Sequence, residues 1–338
     1  MDRHAWEQPG AHEEAPGIHR IPLPLPGDHL RAVNVYAVAD GEQVVMIDGG
    51  WALEGATELL TKGLESIGYA LADVREFLVT HIHRDHYTQA IAVRRAVGSS
   101  VSLGEGERVC LEALRTIREH PDVKALYAAG AFDLSAELQK WSSAMGDGPD
   151  LTDWEDPDRW LPDAFDIPLT TRTLRVIATP GHTRGHVVYH DPDHDVLFAG
   201  DHVLPHITPS IGIELVRKPS PLRDYLGSLQ LMRALPDARL LPAHGPVTTS
   251  VHDRVDELLV HHERRLDATA DAVARGAATA FEVANVLTWT RREKHLDELD
   301  LLNKVMAVNE TVAHLEVLVE RGVLTRETLD GVVHYTAR

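Results

Sequence analysis

Short apolar runs, each closed by glycine or an acidic residue, alternate with stretches of helical period over the first 250 residues. Leu30–Ala39 alternates in part, Asp40-Gly41 marks a hairpin turn, and Gln43–Ile47 is a compact apolar strand ending at Asp48-Gly49-Gly50. Ala52–Ile67 carries apolar residues at helical spacing through Leu53, Leu59, Leu60, Leu64 and Ile67. Glu76–Thr80 is a second buried-looking strand, and Tyr87–Val97 predicts a helix. Strands resume at Leu174–Ala178, Val187–Tyr189 and Val196–Ala199, followed by a helix over Pro221–Ala234 and a last strand at Arg239–Leu241. Strand clusters with helices after each half predict two packed sheets with helices outside.

Three stretches depart from this rhythm. Residues 1–17 are polar and rich in Pro and Gly, and read as a flexible leader. Residues 105–165 read as mainly helical and hold Trp141, Trp154 and Trp160, half of the six tryptophans. An insertion of that kind covers an active site as a lid or fills a core of its own. After residue 250 the pattern is helical over Val251–Arg275, Ala280–Leu287 and Asn303–Glu320, and closes on a short β-like tail. The domain reading is therefore a catalytic body over 18–250 and a small C-terminal domain over 251–338.

Composition narrows the function classes. The net charge of -19 opposes long-range attraction to nucleic acid or an anionic membrane. One cysteine, Cys110, leaves no intramolecular disulfide and no thiolate cluster for a structural zinc. With no signal-like apolar segment at the start and no membrane-length apolar run, a cytoplasmic protein is expected.

The chemistry concentrates at strand ends. His81, His83, Asp85 and His86 lie within six residues, between a strand and a helix. Imidazole nitrogen and carboxylate oxygen suit zinc, and also iron or manganese. Six residues cannot comfortably close one tetrahedral site with four side chains, but they can feed two adjacent metals. His182, Asp201 and His244 each follow an apolar strand beside a glycine, which lets the backbone bend close to a site. Arg217 and Lys218 are candidates to grip a substrate anion or are solvated surface charges. Tyr87 is a candidate to reach a substrate oxygen or packs at a helix start, and Trp141 is a candidate acyl-binding wall.

With these motifs, residues 18–250 resemble the metallo-β-lactamase superfamily, and especially its glyoxalase II-like branch. The resemblance implies a four-layer αββα sandwich. It implies that His81, His83 and His182 hold one metal, that Asp85, His86 and His244 hold a second, and that Asp201 bridges them, with Asp48 as a supporting residue. Two divalent ions, zinc first, would then generate a hydroxide that attacks a thioester or other ester, with Asp85 or Asp201 relaying a proton. A lactonase, an RNA-processing nuclease and a mono-iron persulfide dioxygenase are the alternatives. β-Lactamase work is disfavoured, because it requires export.

The C-terminal order of helices and short ribbon resembles a winged-helix module. Its Glu310–Glu320 helix, however, offers Glu310, His314, Glu316 and Glu320 where a recognition helix would offer Lys, Arg, Asn or Gln. Residues 251–338 carry 11 Lys+Arg against 16 Asp+Glu, a net of -5. The expected partner is a small acyl substrate rather than nucleic acid or membrane, with this domain as a cover or a homo-oligomer contact.

Overall fold

The computed structural model describes residues 4–26, 30–116, 120–144 and 150–338. The chain divides into two compact units. The first comprises 1–111, 150–209 and 228–256, and the second 112–149, 210–227 and 257–338.

The first unit is built on two sheets. One has seven strands in sequence order: β1 (His12–Ala15), β2 (Ile18–Pro24), β3 (Ala32–Asp40), β4 (Gln43–Ile47), β5 (Val74–Val79), β6 (Ser100–Gly104) and β7 (Arg159–Leu161). The other contains β8 (Asp166–Pro168), β9 (Thr173–Ala178), β10 (Val187–Asp191), β11 (Val196–Gly200) and β12 (Arg239–Pro242), in the order β12-β11-β10-β9-β8. One buried cluster draws Tyr36, Val38, Val45, Ile47 and Leu78 from the first sheet and Leu174, Val176, Tyr189, Phe198 and Leu241 from the second. The apolar core therefore lies between the sheets, as in a sandwich. Tyr36 packs edge-on against Phe198 at 5.4 Å.

Strand direction decides where the chemistry emerges. β4, β5 and β6 pair in parallel, so their carboxyl ends share one edge. β9 and β11 both run antiparallel to β10, and β12 runs parallel to β11. β9, β11 and β12 therefore also share the edge at which they end.

The expected leader is corrected. Residues His12–Ala15 form β1, which pairs with β2, and Arg20 on β2 binds Glu14 and the carbonyl of Trp6. Polar residues can belong to a sheet when the strand lies at its edge and its backbone supplies the pairing.

In the second unit, the helices Pro121–Ala128 and Phe132–Ala144 pack with the long helix Leu301–Glu320. The 105–165 stretch is thus divided: 112–149 belongs to this unit, whereas β7 belongs to the first sheet. The helices Val251–Ala274, Ala280–Val286 and Leu301–Glu320 precede the ribbon β13 (Leu324–Leu329) and β14 (Val332–Ala337), the order read from sequence. Thr279 and Glu282 form a reciprocal capping box that starts the middle helix, and Asp300 caps the third.

Two histidines are buried in this unit. His262 and His314 face each other with Nδ1 of the first 3.2 Å from Nε2 of the second. Burial, with His314, His261 and Arg265 nearby, holds His262 well below the ordinary histidine value. Burial pushes His314 down to about 3. Both groups fold neutral, so the stability they protect is present above about pH 6.5 and is lost as pH falls from there toward 3. For His314 alone the loss by pH 5 is about 2 kcal/mol. Thermal melts from pH 7.5 to 5 should show a steep acid fall that His314→Gln flattens. An equal slope in the variant would refute this origin.

Candidate metal centre

The site begins at Asp48, where β4 ends in a backbone conformation with φ of 60°. Its carboxylate is buried and accepts three hydrogen-bond donors: the backbone N–H of Thr80 (2.7 Å), the hydroxyl of Thr80 (3.0 Å) and Nδ1 of His86 (2.9 Å). Gly49 lets this turn lie directly against the helix Arg84–Val97. A Cβ there would sit 2.6 Å from the backbone nitrogen of Ala90, and Gly49 N–H donates to the carbonyl of His86 at 2.8 Å.

Three of the five imidazoles are held by their other ring nitrogen. His86 donates from Nδ1 to Asp48, and His244 from Nδ1 to the carbonyl of Ala32 at 2.8 Å. The Thr80 hydroxyl, which donates to Asp48, can accept from His81 Nδ1 at 3.1 Å. In all three rings Nε2 is left to face the site, as imidazole ligands require.

The inward atoms form two groups. His81 Nε2 and His182 Nε2 lie 2.9 and 3.0 Å from Nδ1 of His83. Asp201 Oδ2 is 3.4 Å from His182 Nε2 and 4.0 Å from His81 Nε2. The other oxygen, Oδ1, is 3.4 Å from His244 Nε2 and 3.7 Å from His86 Nε2. Asp85 Oδ2 closes the second group, 3.3 Å from His244 Nε2 and 3.6 Å from His86 Nε2. Within each group the donor atoms lie within 4.8 Å of one another.

The donor set fits metal ions. His86 Nε2, His244 Nε2 and Asp201 Oδ1 are buried and make no hydrogen bond, a costly arrangement unless a cation satisfies them. Burial drives His81 down, and burial with His182 brings His83 to about 3, so these rings offer lone pairs. In the other group, burial opposes charge, but Asp48, Asp85 and Asp201 outweigh it and raise His86 to about 10. His244 is likewise raised against burial by Asp201 and Asp85. Asp85 is held well below the carboxylate range by His86 and His244, which overcome its burial. A cation entering this group displaces protons.

The metallo-beta-lactamase superfamily model matches residues 30–244, more than half of the chain. The chain belongs to the metallo-beta-lactamase superfamily. Residues 266–338 match the metallo-beta-lactamase-like C-terminal domain. A beta-lactamase-like protein 2 homolog of Caenorhabditis elegans is 30% identical over 90% of this chain and 81% of its own length. A probable metallo-hydrolase of Bacillus subtilis is 24% identical over 94% of this chain and 96% of its own. An atrochrysone carboxyl ACP thioesterase of Aspergillus fumigatus is 24% identical over 72% of this chain, which spans 45% of that relative's length. A metallo-beta-lactamase family protein from Thermus thermophilus superposes with a TM-score of 0.76 at 26% identity, over 96% of this chain and 100% of its own. As a member of this superfamily with these hydrolase relatives, the protein is a metal-dependent hydrolase.

Tyr87 is buried; it stacks on Trp154 at 6.1 Å and donates its hydroxyl to the carbonyl of Glu155 at 2.7 Å. Its hydroxyl is thus engaged by the chain's own backbone. Trp141, Arg217 and Lys218 belong to the second unit. There Arg217 pairs with Asp122 and Asn309, and Lys218 with Asp224, which accounts for their charges inside that unit.

Sequence reasoning missed Thr80 and His186. His186 is fully buried, stacked on His81 with ring centroids 5.0 Å apart. Its signal was present: the loop reads Gly-His-Thr-Arg-Gly-His, repeating the glycine–histidine pair of His182 four residues on.

Proposed function

We propose that the protein is a dinuclear hydrolase of a thioester or another carboxylic ester, with Asp201 as the carboxylate shared between two ions. The observation that carries this reading is that the two oxygens of Asp201 face different ligand groups, Oδ2 toward His182 and His81, and Oδ1 toward His244 and His86. His81, His83 and His182 would hold one ion and Asp85, His86 and His244 the other. Zinc is the proposed metal, on the imidazole-rich donor set.

When bound, two such ions supply an acidified water at neutral pH and a Lewis acid for the substrate carbonyl. The chain contributes orientation through the anchored rings. Asp85 has a side chain 15% exposed, against 9% for Asp201. We take Asp85, on that greater exposure, as the carboxylate that would exchange a proton with a leaving group. An acyl substrate is supported by the thioesterase relative. The net charge of -19 disfavours an RNA substrate. The C-terminal segment we take as a winged-helix-like module without a nucleic-acid role, in a cytoplasmic protein.

The test is metal content per chain on protein purified without added metal, followed by thioesters, lactones and phosphodiesters with and without chelator. About two ions per chain and chelator-sensitive thioester cleavage are expected. Cys110→Ala should retain turnover. One iron per chain with oxygen uptake would instead make the protein a dioxygenase. Salt-sensitive RNA binding with phosphodiester cleavage would make it a nuclease.

A further inference from the structure

His186 lies immediately before β10, outside both ligand groups, yet it contacts both Asp201 and His81. Its Nε2 lies 3.2 Å from the backbone nitrogen of Asp201. That amide can only donate, so Nε2 must be the acceptor and the ring proton must sit on Nδ1. Nδ1 in turn lies 2.9 Å from the hydroxyl oxygen of Thr179, which accepts that proton. The tautomer is therefore fixed by its two partners. Thr179 is itself tied to the same loop, its N–H donating to the carbonyl of His186 at 2.8 Å.

The fit around this ring is close. Gly200, just before Asp201, has φ of 51°, and a Cβ there would lie 2.7 Å from both His186 Nε2 and Thr80 Oγ1. The glycine lets the strand end reach the acceptor. On its face, His186 stacks on His81 at an interplanar angle of 28°.

We infer that His186, as the Nδ1–H tautomer, is a positioning residue that aims the Asp201 carboxylate between the two ion sites. This rests on the dinuclear reading above. His186 holds the backbone from which the carboxylate projects, and its ring backs the plane of His81. A plain space-filling role would need only the ring. The positioning role needs the acceptor.

Two variants separate these. His186→Phe keeps the aromatic face against His81 and removes the acceptor, whereas His186→Gln keeps an acceptor and loses the ring. Cobalt(II) titration, followed by visible absorption, reads ion affinity and ligand geometry without turnover. His186→Phe should bind both ions about 10- to 100-fold more weakly than wild type and show an altered spectrum. His186→Gln should recover most of the affinity. Wild-type affinity and spectrum in His186→Phe, or equal losses in both variants, would overturn the assignment. Nitrogen-15 shifts of the ring in the wild type, assigned by difference against His186→Gln, should report a protonated Nδ1. A protonated Nε2 would overturn it even if His186→Phe does not fold. A wild type that takes up a single cobalt would defeat the dinuclear reading and this role together. Two cobalt ions in the wild type with an unchanged His186→Phe would defeat this role alone.

Discussion

Replacing Asp201 with alanine should empty both halves of the site and reduce turnover by about 10³-fold or more. Each Asp201 oxygen lies 3.4 Å from an imidazole of a different group, so one truncation removes a ligand from both. It also leaves His86 Nε2 and His244 Nε2 buried beside Asp85 alone. Two ligand groups that shared no residue would behave otherwise: losing one carboxylate would empty one site and leave the other at full occupancy. Metal content by mass spectrometry, beside turnover on the best thioester, decides between these. Asp201→Asn should fall between, because it keeps the shape and one oxygen but surrenders the charge. Normal metal content and activity in Asp201→Ala would show that the site is misassigned.

The second large effect should come from a residue that faces no ion site directly. Asp48→Ala removes an acceptor from Thr80 N, Thr80 Oγ1 and His86 Nδ1 at once, in a place closed to water. All three donors lose that acceptor, at a cost of about 3 kcal/mol or more in stability. His86 also loses the group that fixes its ring. The ion held by Asp85, His86 and His244 should weaken by about 10- to 100-fold, and the ion held by His81, His83 and His182 by less. Stepwise titration of the metal-free variant, with denaturant unfolding, reads both quantities. Equal weakening of the two ions would mean that Thr80, through His81, transmits as much as His86 does.

The candidate ligand set stood out because every segment of it follows an apolar strand, and His182, Asp201 and His244 also have a glycine beside them. His182, Asp201 and His244 follow β9, β11 and β12, and the cluster from His81 to His86 follows β5. Strands buried on both faces, such as β4 and β11, are continuous apolar runs that chain chemistry alone reveals. β7 and β8 were not readable. They have three residues each, too few for a period, and their pairing comes from neighbouring strands. Nor could residues 112–149 be assigned to a unit, since helical periodicity shows that a face is apolar but not what covers it. For Tyr87 the sequence left open a contact with substrate or packing at a helix start, because the return of the chain at Trp154 and Glu155 that covers it is a long-range contact. His186 escaped because it immediately precedes a strand, whereas the candidate ligands follow theirs.

The ligands come from both sheets of the sandwich: His81, His83, Asp85 and His86 from the segment after β5, and His182, Asp201 and His244 from the ends of β9, β11 and β12. An ion held by both sets would act as a rivet through the layered body. Its binding energy would then count toward keeping the layers together, growing with the logarithm of free metal concentration. The supply of metal would set the lifetime of the protein as well as its activity, and scarcity would be read out as proteolysis of chains whose layers part more often.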